Sequence, residues 1–341
     1  MSHIILAIET LKAIDAALVA DQGGSFREWE GRVLPHIADA YDPSPGGHRS
    51  HLGASVIGRE CAREIWYGFR WTTKSVHRGQ LLRLFNRGHL EEGRFIALFL
   101  MIGCEVIQQD ENGKQFRITH AEGHAGGSSD GVILNLPDLV AETPALGEFK
   151  THGEKSFIEL AGENWRKYLD SVMYPDPSAP AVAFTGKGVR EAKFEHYVQM
   201  NTYMQKMQIP IGIYVAVNKN TDDIYAEILH LDSIIANSFL DRMEQLVWSL
   251  TPPKRINNSP GFYKCRFCDH RPVCHLDALP DRNCRTCLHV RPRELNGADE
   301  SQWVCTEPRN DAAFGDNPIL TKDDQLRGCD HYELDPVFKV P

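Results

Sequence analysis

The sequence predicts an α/β chain with a cysteine-rich metal-binding module at its C-terminal end, on three observations. Between about residues 55 and 250, runs with helical spacing alternate with short β-rich runs. After about residue 252 this periodicity fades, and seven of the nine cysteines fall in the last 77 of 341 positions. The composition is that of a folded protein: 42% apolar, 24% charged, 27 glycines and 19 prolines. Collagen-like, disordered and small disulfide-stapled classes are therefore excluded. The length is ample for a buried core and suggests two domains, or one with additions.

The elements follow in order. Residues 1 to about 50 have a helical pattern that ends in the Pro/Gly/Ser loop YDPSPGGHRS. From Ser55 to Gly103, apolar positions recur at helical spacing (Leu81, Leu82, Leu84, Phe85, then Phe95, Ile96, Leu98, Phe99) and predict two or three helices closed at Gly103. Runs 104–109 and 116–118 flank DENGK, whose Asn112-Gly113 pair signals a hairpin turn. Val132 to Leu134 and Leu146 to Lys150 read as strands. Helical patterns at roughly 155–169 and 191–208, two β-rich runs in IGIYVAVNKNTDDIYAEILHL and an amphipathic helix over 232–250 complete the core.

No membrane is expected as a partner: the longest apolar run, Phe95 to Cys104, has ten residues, against the roughly 18 to 20 a span requires. The N-terminal segment lacks a basic leader and is interrupted by Glu9, Lys12 and Asp15, so a cytoplasmic location is expected. A net charge of −9 is the wrong sign for a protein that coats nucleic acid over its whole surface. A local exception lies at Arg59 to Arg94, where eight basic residues face four acidic ones.

Asp130 in GGSSDGVIL and GEFK, beginning seventeen residues later, carry the clearest chemistry. Alternation on a strand projects Glu148 and Lys150 together while Phe149 points to the opposite layer. Asp130 could meet them from a neighbouring strand. Adjacent carboxylates repel unless a cation lies between them. Mg²⁺ takes oxygen ligands and keeps several waters, so Asp130, Glu148 and the carbonyl of Phe149 suit it, with Lys150 orienting or helping to deprotonate an attacking water. Such a site fits phosphodiester hydrolysis.

With these motifs in place, the chain from about 53 to 275 resembles the PD-(D/E)XK nuclease superfamily, in particular its RecB-type branch and the CRISPR-associated iron-sulfur exonucleases. Three motifs carry the resemblance: RGHLEEGRF with His89, the Asp130 and Glu148-Phe149-Lys150 strand pair, and HYVQMNTYM with Gln199 and Tyr203. It implies a restriction-endonuclease-like core, a mixed central sheet flanked by helices. It also implies His89 as a metal ligand, which makes Mn²⁺ more acceptable beside Mg²⁺, and Gln199 and Tyr203, four residues apart on one helix face, as substrate-positioning groups. There is no Pro before Asp130, a departure from the superfamily signature. The implied activity is an exonuclease that processes single-stranded DNA ends in recombination or repair, in a phage or bacterial setting. The alternatives are a structure-specific endonuclease, or a non-catalytic nucleic-acid-binding subunit of a larger recombination or helicase assembly.

The same resemblance pairs Cys61 with Cys265, Cys268 and Cys274 around a [4Fe-4S] cluster, with Zn²⁺ as the competing occupant. Of the remaining five thiols, Cys104 is isolated and expected to be buried and inert. Cys284, Cys287, Cys305 and Cys329 have the pattern of a Cys₄ Zn²⁺ module, in which His289 or His331 could replace one thiol. Arg282, Arg285, Arg291 and Arg293 around it could contact phosphates or solvate a small domain. The expected organisation is an N-terminal helical segment (1–50), a nuclease domain with an iron-sulfur clip (51–280) and a zinc-binding module (281–341).

Overall fold

Apolar alternation along the middle of the chain produces a six-stranded mixed sheet flanked by helices. The computed structural model describes residues 4–43, 47–109, 111, 115–294, 301–308 and 319–339, and it divides into two compact units. The first comprises Met1–Ser44, His77–Arg117 and Ser128–Ala236. Its strands are β1 (Ile5–Leu6), β2 (Glu105–Ile107), β3 (Gly131–Leu134), β4 (Ala145–His152), β5 (Ile211–Asn218) and β6 (Ile224–His230), in the spatial order β1-β6-β5-β4-β3-β2. Only the β4/β5 pair is parallel, with Glu148 opposite Tyr214 and Lys150 opposite Ala216. β3 runs antiparallel to β4, pairing Gly131 with Gly147.

The helices of this unit that bear on the sheet are α1 (Ile8–Ala20), α2 (Gly24–Val33), α3 (Gly79–Met101), α4 (Glu154–Ala161), α5 (Trp165–Met173) and α6 (Phe194–Met207). The first turn of α1 is capped from a distance: the amides of Glu9 and Thr10 donate to the Asp138 carboxylate at 2.9 and 2.7 Å, an anion against a helix N-terminus. α3 buries Phe95, Ile96, Leu98 and Phe99 in its second half and is followed by Gly103 at φ +86°, as its sequence predicts. The single helical pattern expected at 155–169 becomes α4 and α5, separated at Gly162, whose φ of +92° favours glycine. α6 lies close on β5 because Gly212 has no side chain; a Cβ there would sit 2.8 Å from Met200 Cε.

The hairpin expected around DENGK is only partly formed as a local pair. The Asn112-Gly113 turn lies outside the described residues, and Gln109 and Gln115 form an antiparallel bridge. Beyond it the two runs part. Glu105–Ile107 joins the large sheet, whereas Arg117–His120 joins a small sheet with Ala125–Ser128 and Leu52–Gly53, because local pairing with 125–128 offers it a closer partner.

The second unit gathers Pro45–Val76, Ile118–Gly127 and Asn237–Pro341. Its core is aromatic, with Trp66, Trp71 and Trp303 fully enclosed. At its centre lies Arg285, 1% exposed, whose Cζ is 3.8 Å from the Trp71 ring centroid and 4.3 Å from that of Trp303. Its guanidinium donates to Gln325 Oε1 at 2.8 Å, Phe69 O at 2.9 Å and Ser50 O at 2.7 Å. Arg285 is thus neither a phosphate contact nor a solvating charge but an internal fastener. Arg282 likewise donates to Cys329 O at 2.7 Å, and Arg291 pairs with Asp335 at 3.3 Å. Compactness groups the first 44 residues with the large sheet and both cysteine sets with each other, across the expected boundaries near 50 and 280.

Candidate active site

Strand alternation sets the site on β4. Glu148 and Lys150 emerge on one face, and Phe149 on the other packs against Phe95 and Phe99 of α3, with ring centroids 5.4 and 5.8 Å away. That aromatic stack, together with a sheet neighbour on each side, fixes the strand from three directions. Asp130 stands immediately before β3, and its Oδ2 accepts the Phe149 amide at 2.7 Å. The first carboxylate is thereby held against the backbone of the residue between Glu148 and Lys150.

Glu148 is completely buried, ion-pairs with Lys150 and accepts the Gln199 amide at 3.1 Å. Lys150 Nζ also donates to Phe149 O at 3.1 Å. Burial drives the Glu148 carboxyl above its ordinary range, against the attraction of Lys150, and Asp130 adds repulsion. Lys150 is held above the usual lysine range because Glu148 and Asp130 outweigh its own desolvation. Gln199 therefore reaches the site from α6. Tyr203, one turn further on, is buried on the same helix.

The contribution of α3 differs from expectation in detail. His89 is half-exposed, with Nδ1 4.0 Å from Asp39 Oδ2. The carboxyl one turn later, Glu92, interacts with the Asp130, Glu148 and Lys150 charges and accepts from Gln108 Nε2 at 3.3 Å. Its pKa is pushed up to about 8, first by burial, then by the charges of Asp130 and Asp39. The available signal was its position three residues after His89, which puts it on the same helix face. Sequence reasoning also missed Tyr214, the register partner of Glu148. Its hydroxyl lies 2.8 Å from His152 Nε2 and 2.9 Å from His196 Nδ1. A phenol has one proton, so one imidazole accepts and the other donates. Nothing in the local sequence of β5 marks that tyrosine.

A carboxyl with a raised folded pKa binds protons more tightly folded than unfolded, so stability falls as pH rises between the two pKa values. For Glu92 that window runs from its ordinary value of 4.5 to about 8. Metal-free protein is expected to melt at progressively lower temperature across it, and Glu92→Gln to flatten the slope; an unchanged slope in the variant would show that Glu92 is not the titrating group.

Asp130, Glu148, Glu92 and the Phe149 carbonyl are all oxygen donors, the set a hard divalent cation prefers. Among the described residues, no three His, Cys, Asp or Glu side chains stand at the mutual distances of a formed metal site; the Lys150 ammonium supplies positive charge to Glu148 and Phe149 O instead. The donor chemistry thus fits Mg²⁺ or Mn²⁺, with side-chain adjustment on binding.

No disulfide joins any of the nine cysteines, all of which are described residues. In the second unit, Cys61, Cys265, Cys268 and Cys274 line one cavity, bringing together residues about 200 positions apart. Cys284, Cys287, Cys305 and Cys329 line another, with His289 and His331. Burial pushes the thiols of Cys268 and Cys284 up to about 12, and the neighbouring cysteines of each set add to the shift. His289 Nε2 faces Glu307 at 3.1 Å and Glu333 at 3.3 Å. Cys104, in the first unit, is buried and donates to Asn135 O at 3.4 Å.

No known protein-family profile matches the sequence, and no curated protein matches it. Among solved structures, the chain is similar to SSO0001 (14% identity, TM-score 0.33, covering 74% of this chain and 97% of that one). It is also similar to the alkaline exonuclease LHK-Exo from Laribacter hongkongensis (14% identity, TM-score 0.32) and to LHK-Exo in complex with dAMP (14%, 0.33), each covering 64% of this chain and 90% of that one. Likeness this distant assigns no activity; what the chain can do is carried by its own carboxylates, lysine and thiols.

Proposed function

We propose that this chain is a divalent-metal-dependent DNA nuclease, an exonuclease that trims single-stranded ends. The carrying observation is the buried Glu148 ion-paired with Lys150, with the Asp130 carboxylate tied to the backbone of the strand that presents both and the Glu92 carboxyl within reach of their charges. The order of motifs in the sequence supports DNA as substrate and end-trimming as the mode.

Asp130, Glu148, Glu92 and the Phe149 carbonyl would hold Mg²⁺ or Mn²⁺, with His89 available on the same helix. The bound ion supplies polarisation of the scissile phosphate and a water of lowered pKa. Lys150, kept protonated by its two carboxylates, is a cation and hydrogen-bond donor rather than a base: it orients the attacking water and offsets charge developing on the phosphate. Gln199 gives one amide proton to Glu148 and keeps its second proton and its carbonyl for substrate or water.

Linear single-stranded DNA is expected to be degraded in Mg²⁺ or Mn²⁺ and spared in EDTA, and circular single strands to survive. Asp130→Asn is expected to lower kcat by at least about 10²-fold. Cleavage of the circle would replace the exonuclease with an endonuclease, and inertness towards every DNA substrate in either metal would end the nuclease reading.

The thiol sets complete the proposal. Cys61, Cys265, Cys268 and Cys274 would hold a [4Fe-4S] cluster and Cys284, Cys287, Cys305 and Cys329 a Zn²⁺ ion, each tying together distant parts of the second unit. Protein purified without oxygen is expected to be brown, with about four irons and one zinc per chain. A colourless protein with two zincs would assign Zn²⁺ to both cavities.

A further inference from the structure

The first half of α3 is unlike the rest of the molecule. Residues 74–87 are all exposed, although this stretch includes Leu81, Leu82, Leu84 and Phe85, which are 36 to 53% exposed. Four large apolar side chains within five positions on an open helix form a patch of the kind that marks a binding surface. Between Glu64 and Glu91 the sequence has no Asp or Glu, in a chain with 46 of them. On the helix, Arg83 and Arg87 are four residues apart and share one stripe; Leu81 and Phe85, also four apart, share the next. The same helix continues directly to His89 and Glu92. At 1.5 Å per residue, Phe85 lies only about 10 Å along the axis from Glu92.

We infer that the exposed first half of α3 is a platform for single-stranded nucleic acid, on which unpaired bases lie against Phe85 and its leucine neighbours while Arg83 and Arg87 take the phosphates, leading the strand to Glu92 on the same helix. Cationic and aromatic side chains side by side suit a single strand, whose base faces are free; a duplex hides those faces and offers only its backbone. An acidic protein partner would use the arginines but would leave the apolar stripe no reason to adjoin the site. The inference rests on the nuclease reading and specifies how such an enzyme would select unpaired ends.

The test is the affinity of the full chain for a fluorescein-labelled oligothymidylate in EDTA, measured by anisotropy over a range of salt. Phe85→Ala is expected to weaken binding by about fivefold to a hundredfold, the range of one lost base stack. Arg83→Gln is expected to reduce the slope of log K against log salt by about 0.7, one phosphate contact. Binding to a blunt duplex of equal length is expected to be unaffected by Phe85→Ala. Both side chains are exposed, so melting temperatures matching wild type verify the fold.

Wild-type single-strand affinity in both variants would overturn the platform. So would a Phe85-dependent dimer in sedimentation, or Phe85-dependent binding to anionic phosphatidylserine vesicles with no effect on DNA. Failure here is separable from failure of the nuclease reading: a wild type that degrades DNA while both variants bind normally sinks only the platform, whereas a wild type inert towards DNA in Mg²⁺ and Mn²⁺ sinks the reading beneath it.

Discussion

Lys150→Ala is expected to reduce DNA cleavage by at least about 10²-fold with DNA affinity retained, because it deletes a donor aimed at charge that develops only in the transition state. The substitution has a second effect. Glu148 is fully buried and Lys150 is its counter-charge, so without the ammonium its carboxyl takes up a proton more readily. The metal requirement should shift to higher concentration and the pH-rate profile towards the alkaline side. Lys150→Arg separates the two roles open to this side chain. A guanidinium keeps the charge and cannot serve as a base, so it is expected to retain more activity than alanine. If both variants were equally dead, proton transfer at Nζ would be the better account; if Lys150→Ala cut DNA at the wild-type rate, the mechanism would be wrong. A melting curve for each variant distinguishes lost chemistry from lost fold.

Arg285→Ala is expected to cause the largest loss of stability of any single substitution in the second unit. Three acceptors, Gln325 Oε1, Phe69 O and Ser50 O, would lose their donor inside a closed core. Each buried orphan costs about 1–3 kcal/mol, and the desolvated stack on Trp71 and Trp303 adds about 2 kcal/mol. The sum exceeds about 4 kcal/mol, a large part of the roughly 5–15 kcal/mol that holds a domain together. Arg285→Lys is no rescue, since an ammonium cannot span three acceptors in one plane between two indoles. Denaturant titration followed by tryptophan fluorescence measures the loss. Arg282→Ala serves as the comparison: its partners are Cys329 O and the Tyr332 ring at a more open position, and it is expected to cost about 1 kcal/mol. Equal melting of the two variants would refute the fastener role.

The strands of the large sheet were legible because their signal is local: Val132 to Leu134, the GEFK run and the pair around KNTDD each alternate or cluster apolar residues over a strand length. The relation of Glu148 to Lys150 followed from alternation alone. What escaped the sequence depends on contacts between distant residues. Tyr214 gains meaning only from its register against Glu148, and Glu92 only from its place on α3 within reach of the Asp130 charge. Arg285 misleads most, since an arginine between two cysteines of a knuckle reads as a surface charge until the indoles that enclose it, more than 200 positions upstream and 18 downstream, are in place. The break at Gly162 shows the opposite limit: a single residue interrupts a helical pattern that continues on both sides.

The fastening of Ser50 and Phe69 by Arg285 has a consequence for biosynthesis. The segment 45–76 is made with Trp66 and Trp71 ready to pack, yet Arg285 and Trp303, which close the stack on Trp71, emerge only after more than 200 further residues have been made. At about 5–20 residues per second that delay is at least about ten seconds, long enough for sticky nascent chains to find one another. Slower initiation, lower growth temperature or a generous supply of holdase should therefore raise the soluble yield more than any change to the large sheet would.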